Sequence, residues 1–277
     1  MAQSLEKFTE LLSRGDFSLA EACLLIAEDA YPDLDVPRYL SAIEALAAKV
    51  RSRLPGDAFA EQKVVVLNQY LFNELRYCGN VGDYYDPRNS YLNEVLERKT
   101  GVPITLAILY MEVGRRLGLR LQGVSFPGHF LVKLRVSGGQ LVLDPFSGGE
   151  AQSESDLRGR LAQVVGSREV DDAPISQFLE PATPRQILAR VLRNLKGIYL
   201  QAGDAQKTLD VMQRMVLVAP DAAEEVRDRG LAYFRLEGYR AALTDLEDYL
   251  KRRPRANDAA DIREKISVSR QMCSRLH

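Results

Sequence analysis

The chain reads as an α+β protein: a mostly helical first domain with a small antiparallel sheet, then an all-α domain built of helical repeats. Three observations predict this. Apolar residues return at helical spacing through most of residues 16–76, the mark of amphipathic helices with one buried face. Three short alternating or β-branched segments lie between Arg120 and Asp144, each too short for a helix and bounded by turn formers. From Pro184 onward, similar residues recur at a fixed interval of 34, the period of a stacked helical hairpin. A length of 277 residues allows two domains, here expected at 1–178 and 179–277.

Taken in order, Asp16 or Ser18 caps a helix through Glu28, with Leu19, Cys23, Ile26 and Ala27 on one face and Pro32 beyond its end. Pro37 suits the first turn of a second helix that reaches Leu54, where Pro55-Gly56 stops it; Tyr39, Ile43, Leu46, Ala47 and Val50 form its stripe. A third helix, Phe59 to Arg76, carries Val64, Leu67, Tyr70, Leu71 and Leu75. Cys78 to Asn89 is rich in turn formers and aromatics and is expected to lie over the surface as a loop. A short helix, Ser90 to Arg98, ends at Thr100-Gly101. Pro103 then restarts the chain as TLAILYMEVGRRLGL, apolar nearly all round and therefore central. Strands are predicted at Arg120 to Phe126, His129 to Val136 and Gln140 to Asp144, with Ser137-Gly138-Gly139 turning the last hairpin. Residues 147–180 read as irregular apart from a polar helix, Glu154 to Val165, and 170–184 as a linker.

In the last third, Tyr199 and Tyr233, Leu209 and Leu243, Met212 and Leu246, and Pro220 and Pro254 each stand 34 residues apart. This helix-turn-helix period resembles the tetratricopeptide repeat. Two repeats fit, 189–222 and 223–256, with Asn257 to Leu276 as a capping helix. Two are fewer than the roughly three repeats that stand alone, so they are expected to pack on the first domain.

Chemistry concentrates in three segments: Gly101-Val102-Pro103-Ile104-Thr105-Leu106-Ala107, Gly128-His129-Phe130-Leu131-Val132 and Leu143-Asp144-Pro145-Phe146. Together they resemble the core of the transglutaminase-like cysteine-protease superfamily. There a helix opens on the nucleophilic Cys, a strand begins with the base His and a further strand ends in Asp-Pro. The helix start favours a thiolate and an oxyanion, the His takes the proton, and the Asp holds the imidazole in its useful tautomer. His129 is the only histidine besides His277, so it alone is a candidate base, with Asp144 as its orienter. If the hairpin pairs Leu134 with Leu141, Asp144 falls opposite Leu131, diagonal to His129 at roughly 7–8 Å between strands; a tighter turn sets it opposite Lys133, out of reach without a bulge.

The nucleophile does not match. Aligning Gly101-Val102 and Ala107 with the superfamily's turn and helix places Pro103 at its position. Thr105, in the first helical turn, and Cys78, in the preceding loop, are the alternatives. Capping or a buried methyl is the ordinary role for such a threonine, and threonine nucleophiles usually rely on their own terminal amine; a lone loop cysteine is more often incidental. Cys23 is expected in the core.

The match is also narrower. YYDPRNSYLNEVLERKTGVPITLAILYMEVGRRLGL, GVSFPGHFLVKL and LVLDPFSGG are similar to the SirB family of bacterial proteins, which joins a transglutaminase-like domain to tetratricopeptide repeats, over roughly residues 35–255. Its members are named as regulators of invasion-gene transcription. The resemblance implies that proline at the nucleophile site belongs to the family's own pattern, in a fold that has lost transamidase or protease chemistry and kept the pocket. Tyr84, Tyr85, Asn89, Tyr91, Asn93, Phe126 and Pro127, with Pro103 and His129, are the candidates to line that pocket; equally, the aromatics cover the central helix and Asn89 caps the helix after it.

Composition narrows the functions. A net charge of −1 with 46% hydrophobic and 27% charged residues gives no pull toward nucleic acid or lipid, and Lys251 to Arg255 reads as a solvated helix end. Three scattered cysteines, Cys23, Cys78 and Cys273, form neither a disulfide framework nor a metal site and suit a reducing compartment. The N-terminus lacks an apolar signal core, and no apolar run reaches the roughly 18 residues that span a bilayer. The expectation is a cytoplasmic, non-catalytic regulatory protein without metal or cofactor. It takes a protein or peptide partner through the repeat groove or the relict pocket, without direct nucleic-acid contact, and its oligomeric state is left open. The alternative is a hydrolase or acyltransferase using His129 and Asp144 with Cys78 or Thr105.

Overall fold

A computed structural model describes residues 2–165 and 174–275; part of the expected linker, the end of the capping helix and His277 lie outside them. The chain forms two compact units, residues 1–191 and 192–277.

The first unit is organised around α6 (Pro103–Arg116), in which every residue from Pro103 to Gly114 is buried. Helices α2 (Leu19–Ala27), α3 (Val36–Arg51) and α5 (Leu92–Arg98) pack on it. Strands β3 (Leu121–Val124) and β4 (Leu131–Val136) pack on it too, within an antiparallel sheet completed by β5 (Gly139–Asp144) and β6 (Glu150–Ala151). A helix apolar nearly all round is stable only when covered on nearly every side, which is why it sits at the centre, with its one buried charge, Glu112, paired to Arg115 and Arg116 in its last turn. Ser18 and Asp35 cap α2 and α3 with their side chains, and Pro37 stands in the first turn of α3. A second cluster, Val124, Phe126, Leu131, Val142, Leu157, Leu161, Ile175 and Leu179, joins the sheet to α7 (Glu154–Val165) and the 3-10 turn Ile175–Leu179.

Four local features differ from the sequence reading. An additional helix, α1 (Ala2–Ser13), buries Phe8, Leu11 and Leu12; its apolar residues are spaced among charges, so they make a stripe rather than an apolar run. The third helix is regular only over α4 (Ala60–Asn68) and continues as a π-helical segment, Gln69–Glu74. Cys78 to Asn89 is more than a surface loop. Cys78–Gly79 is a short strand, β1, running parallel to β2 (Thr100–Gly101), and the 3-10 turn Pro87–Ser90 buries Asn89 and Ser90. The Asn89 amide donates to Asp83 O (2.7 Å) and Tyr84 O (3.3 Å) and accepts from Asn80 Nδ2 (3.1 Å). Side-chain amides thus satisfy backbone groups that a ladder would otherwise serve. Finally, His129 precedes β4 rather than beginning it. Its N–H donates to Phe126 O at 3.0 Å, closing a turn in which Gly128 adopts φ 68°, a conformation that costs glycine little.

The second unit takes over part of α8 (Pro184–Ala202) and adds α9 (Ala205–Val218), α10 (Ala223–Arg235), α11 (Tyr239–Arg252) and α12 (Ala259–Arg275). From α9 to α12 each helix packs on the next, and Ala223, Leu246, Tyr249, Ile262 and Ile266 form a core shared by α10, α11 and α12. Gly230 lets α10 close on α11: a Cβ there would lie 2.9 Å from both Asp245 Cβ and Leu246 Cδ2. Beside it, Arg229 grips Asp245 with two hydrogen bonds of 2.7 Å.

Candidate functional site

The hairpin pairs Leu134 with Leu141 and Val132 with Leu143, the register that brings the end of β5 toward His129. Their side chains meet. His129 Nε2 lies 2.9 Å from Asp144 Oδ1, with the imidazole 11% exposed and the carboxylate fully buried. An ionised carboxylate only accepts, so the proton sits on Nε2 and Nδ1 is the nitrogen left to take another.

Asp144 is also the N-cap of the 3-10 turn Pro145–Ser147. Its Oδ1 accepts from Phe146 N at 3.0 Å, and its Oδ2 accepts from Ser147 Oγ at 2.9 Å and from Arg160 Nη2 at 2.7 Å. Burial pushes the carboxyl upward, but the bonds from His129 and Ser147 and the positive charge of Arg160 outweigh it and hold Asp144 below the usual carboxylate range. Ser147 lies inside the LVLDPFSGG segment but was given no role there, and Arg160 was not legible as part of the site. Arg160 belongs to a polar helix 16 residues further along the chain, and nothing in its local pattern separates it from the other surface arginines there.

The first turn of α6 offers little chemistry. Pro103 occupies the first helical position and Val102 is the N-cap without a side-chain bond. Thr105 is 1% exposed. Its hydroxyl donates to Asn89 O at 2.7 Å, has Val102 O at 3.1 Å, and accepts from Val102 N at 3.2 Å. It therefore works as a cap that ties α6 to the preceding 3-10 turn. Gly101 is held tight beneath it, since a Cβ there would lie 2.8 Å from Thr105 Oγ1.

Cys78 is exposed, and its strand passes beside the turn that follows Asp144. The contact is made by its neighbour. The Phe146 ring lies so close over Gly79 that a Cβ there would be 2.3–2.6 Å from three ring carbons, and the same ring meets the His129 imidazole edge to face at 5.8 Å. Phe146 thus touches both the cysteine-bearing strand and the histidine.

The remaining candidates do not form one pocket. Tyr84 and Tyr85 stack edge to face on an exposed loop tip. Asn89 is completely buried as a loop brace, and Phe126 is completely buried in the cluster behind the sheet. Asn93 is buried on α5 and lines a different groove, with residues 30–35, Arg38 and Tyr39. In the second unit a small apolar hollow of about 190 Å³ is lined by Tyr199, Leu200, Ala205, Thr208, Ala232 and Arg235. Among the described residues no group of three or more His, Cys, Asp or Glu side chains is placed to hold a metal ion, and no helix is long and apolar enough to cross a membrane.

A covered helix that starts against a β-bridge, with a His–Asp pair delivered by a neighbouring hairpin, is the architecture of the transglutaminase-like class. Residues 37–193 match the model of the transglutaminase-like superfamily, and residues 195–267 match that of the tetratricopeptide repeat. A UPF0162 protein of Xylella fastidiosa is 43% identical over 245 residues, covering 88% of this chain and 87% of that protein. One from Pseudomonas aeruginosa is 32% identical over 230 residues, 83% of each chain. Protein SirB1 of Salmonella typhimurium is 23% identical over 254 residues, covering 90% and 92%. The chain belongs to this SirB-like family of UPF0162 proteins, a transglutaminase-like domain followed by tetratricopeptide repeats. No solved structure matches it.

Proposed function

We propose that this chain is a non-catalytic transglutaminase-like protein that acts as a protein- or peptide-binding regulatory module. The observation that carries the reading is the start of α6. The position facing the superfamily's chemistry is Pro103, and the only hydroxyl in that turn, Thr105, spends its proton on a cap. A His–Asp pair without a nucleophile has nothing to deprotonate. The pair then serves as structure, bracing the turn after β5, and binding falls to the exposed loop at Tyr84 and Tyr85 and to the apolar hollow of the repeats. Helical repeats commonly present such hollows to peptide side chains.

A hydrolase or acyltransferase built on Cys78 is the second reading, favoured by the exposure of that thiol and by the Phe146 ring its strand shares with His129. Limiting iodoacetamide near pH 6.5, with the three cysteines followed by peptide mapping in wild type and His129→Ala, separates the two. The expected outcome is that Cys78 reacts as an ordinary exposed thiol, indifferent to His129. Cys23 should stay unmodified, since burial and the charge of Glu112 push its thiol far up. A Cys78 at least tenfold faster than Cys273, slowed by His129→Ala, would establish the second reading instead.

A further inference from the structure

We propose that the groove between the α2–α3 turn and helix α5 is a seat for an arginine side chain of a partner polypeptide. The groove, of about 450 Å³, is walled by residues 30–35, Arg38, Tyr39, Asn93, Glu94 and Glu97. It shares no residue with the His129–Asp144 pair. The inference therefore does not rest on how that pair is read, and cysteine alkylation bears on one while peptide binding bears on the other.

Two independent features point to a cationic donor. The first is charge: Asp33, Asp35, Glu94 and Glu97 line the groove with one cation, Arg38, in a chain that is otherwise nearly neutral; the other cation that acts on Glu94, Arg88, is itself held by Asp86. Arg38 does not balance them, since its guanidinium comes no closer than 3.8 Å to Glu97 and lies mainly over the Tyr39 ring, at 5.4 Å. Asp35 is engaged in capping α3 and Glu97 in receiving the Tyr39 hydroxyl. Asp33 and Glu94 have no side-chain hydrogen bond or ion pair among the described residues, and both line the groove.

The second feature is Asn93, a lining residue that is 3% exposed and whose side-chain oxygen has no hydrogen-bond partner among the described residues. A buried amide oxygen left unpaired costs about 1–3 kcal/mol, so native proteins rarely keep one without a use. Rotation of the amide exchanges its oxygen and nitrogen at little cost in shape, offering the groove either an acceptor or a donor.

The shape of the acceptor set favours a guanidinium over an ammonium. A planar fork with five donors can address the Glu94 carboxylate, the Asn93 oxygen and Asp33 together, and it stacks on aromatic faces. The groove already holds one guanidinium in that manner, Arg38 on Tyr39. Tyr31 supplies a second ring in the lining, and Pro32 and Leu34 at its edge suit the methylene stem of a long side chain.

The test is a titration of the full chain with the peptide acetyl-Gly-Arg-Gly-amide at low ionic strength, followed by NMR. The reporter is the Asn93 side-chain amide, assigned by its disappearance in Asn93→Ala. A saturable shift is expected. It should weaken at least about tenfold in Asp33→Asn/Glu94→Gln, as removing two attractive charges from one site implies, and at least about threefold for the lysine counterpart peptide. Asp33 is exposed, so Asp33→Asn alone, with a smaller but measurable loss, keeps the test decisive should the double variant not fold. No saturable shift, a shift undiminished in the variants, or a lysine peptide binding as tightly as the arginine one would overturn the proposal.

Discussion

The buried carboxylate of Asp144 is held by His129, the Phe146 N–H, Ser147 and Arg160. The resemblance offered its pairing with His129 and left the register open; the structure turns the hairpin on two residues, pairing Val136 with Gly139, and so brings the two side chains together. Of its other partners, Ser147 Oγ lies three residues along in the turn that Asp144 caps, whereas the Arg160 guanidinium is delivered by the packing of α7, which no local pattern encodes. They matter for stability. The carboxyl is held below its ordinary range in the folded chain, so the stabilisation is present above the unfolded value and disappears as pH falls through the folded one. Arg160 is among the causes of the lowering. Arg160→Met keeps much of the stem and removes the charge, leaving burial less opposed; the folded value rises, so the stabilisation shrinks and is exhausted at a higher pH. Acid unfolding followed by circular dichroism between about pH 2 and 5 should show a midpoint moved upward relative to wild type. An unmoved midpoint would mean that His129 and Ser147 hold the carboxylate without help.

At the scale of elements, the periodic helices and the hairpin were readable because hydrophobic period and turn chemistry are local. Leu134 stands opposite Leu141 as the two-residue turn requires. The β1–β2 bridge was not readable, because two residues of parallel pairing between Cys78 and Thr100 leave no alternation to detect. Its importance lies in Gly79, whose bare Cα receives the Phe146 ring. Gly79→Ala should therefore destabilise the first unit by about 1–3 kcal/mol, the usual penalty for overpacking. Phe146→Leu introduced alongside it should recover part of the loss, because the two changes address the same contact. Denaturant melts of the two single variants and the double variant complete the cycle; strict additivity would show that the ring is free to move aside.

For the molecule as a whole, the order of a helical α+β domain and then repeats was visible from period alone, 3.6 giving way to 34. Where one unit ends was harder, since α8 runs from the first into the second without a break, and a continuous helix carries no compositional mark at a boundary. Its early residues serve the first unit. Arg185 donates to Leu12 O at 3.1 Å, and Ile187 reaches the backbone of Gly123. Ile187, Leu188 and Val191 are each no more than 3% exposed. Burial of each is worth about 1.5–3 kcal/mol, so the three together approach the roughly 5–15 kcal/mol of a whole small domain. A fragment of residues 1–183 should consequently melt well below one of residues 1–202, or fail to fold. Equal melting temperatures would place the stabilising contacts of α8 entirely in the second unit.

The proline that opens α6 also bears on descent. Its fixed φ suits the first helical position, where the absent N–H would have had no helical partner. Replacing it by cysteine would free the unfolded chain and forfeit about 0.4–1 kcal/mol. On the non-catalytic reading, a lineage that accepts proline here exchanges a reactive group for a small gain in stability. Each later step back toward chemistry must first give that gain up, so the substitution behaves as a ratchet that selection for folding alone will hold in place.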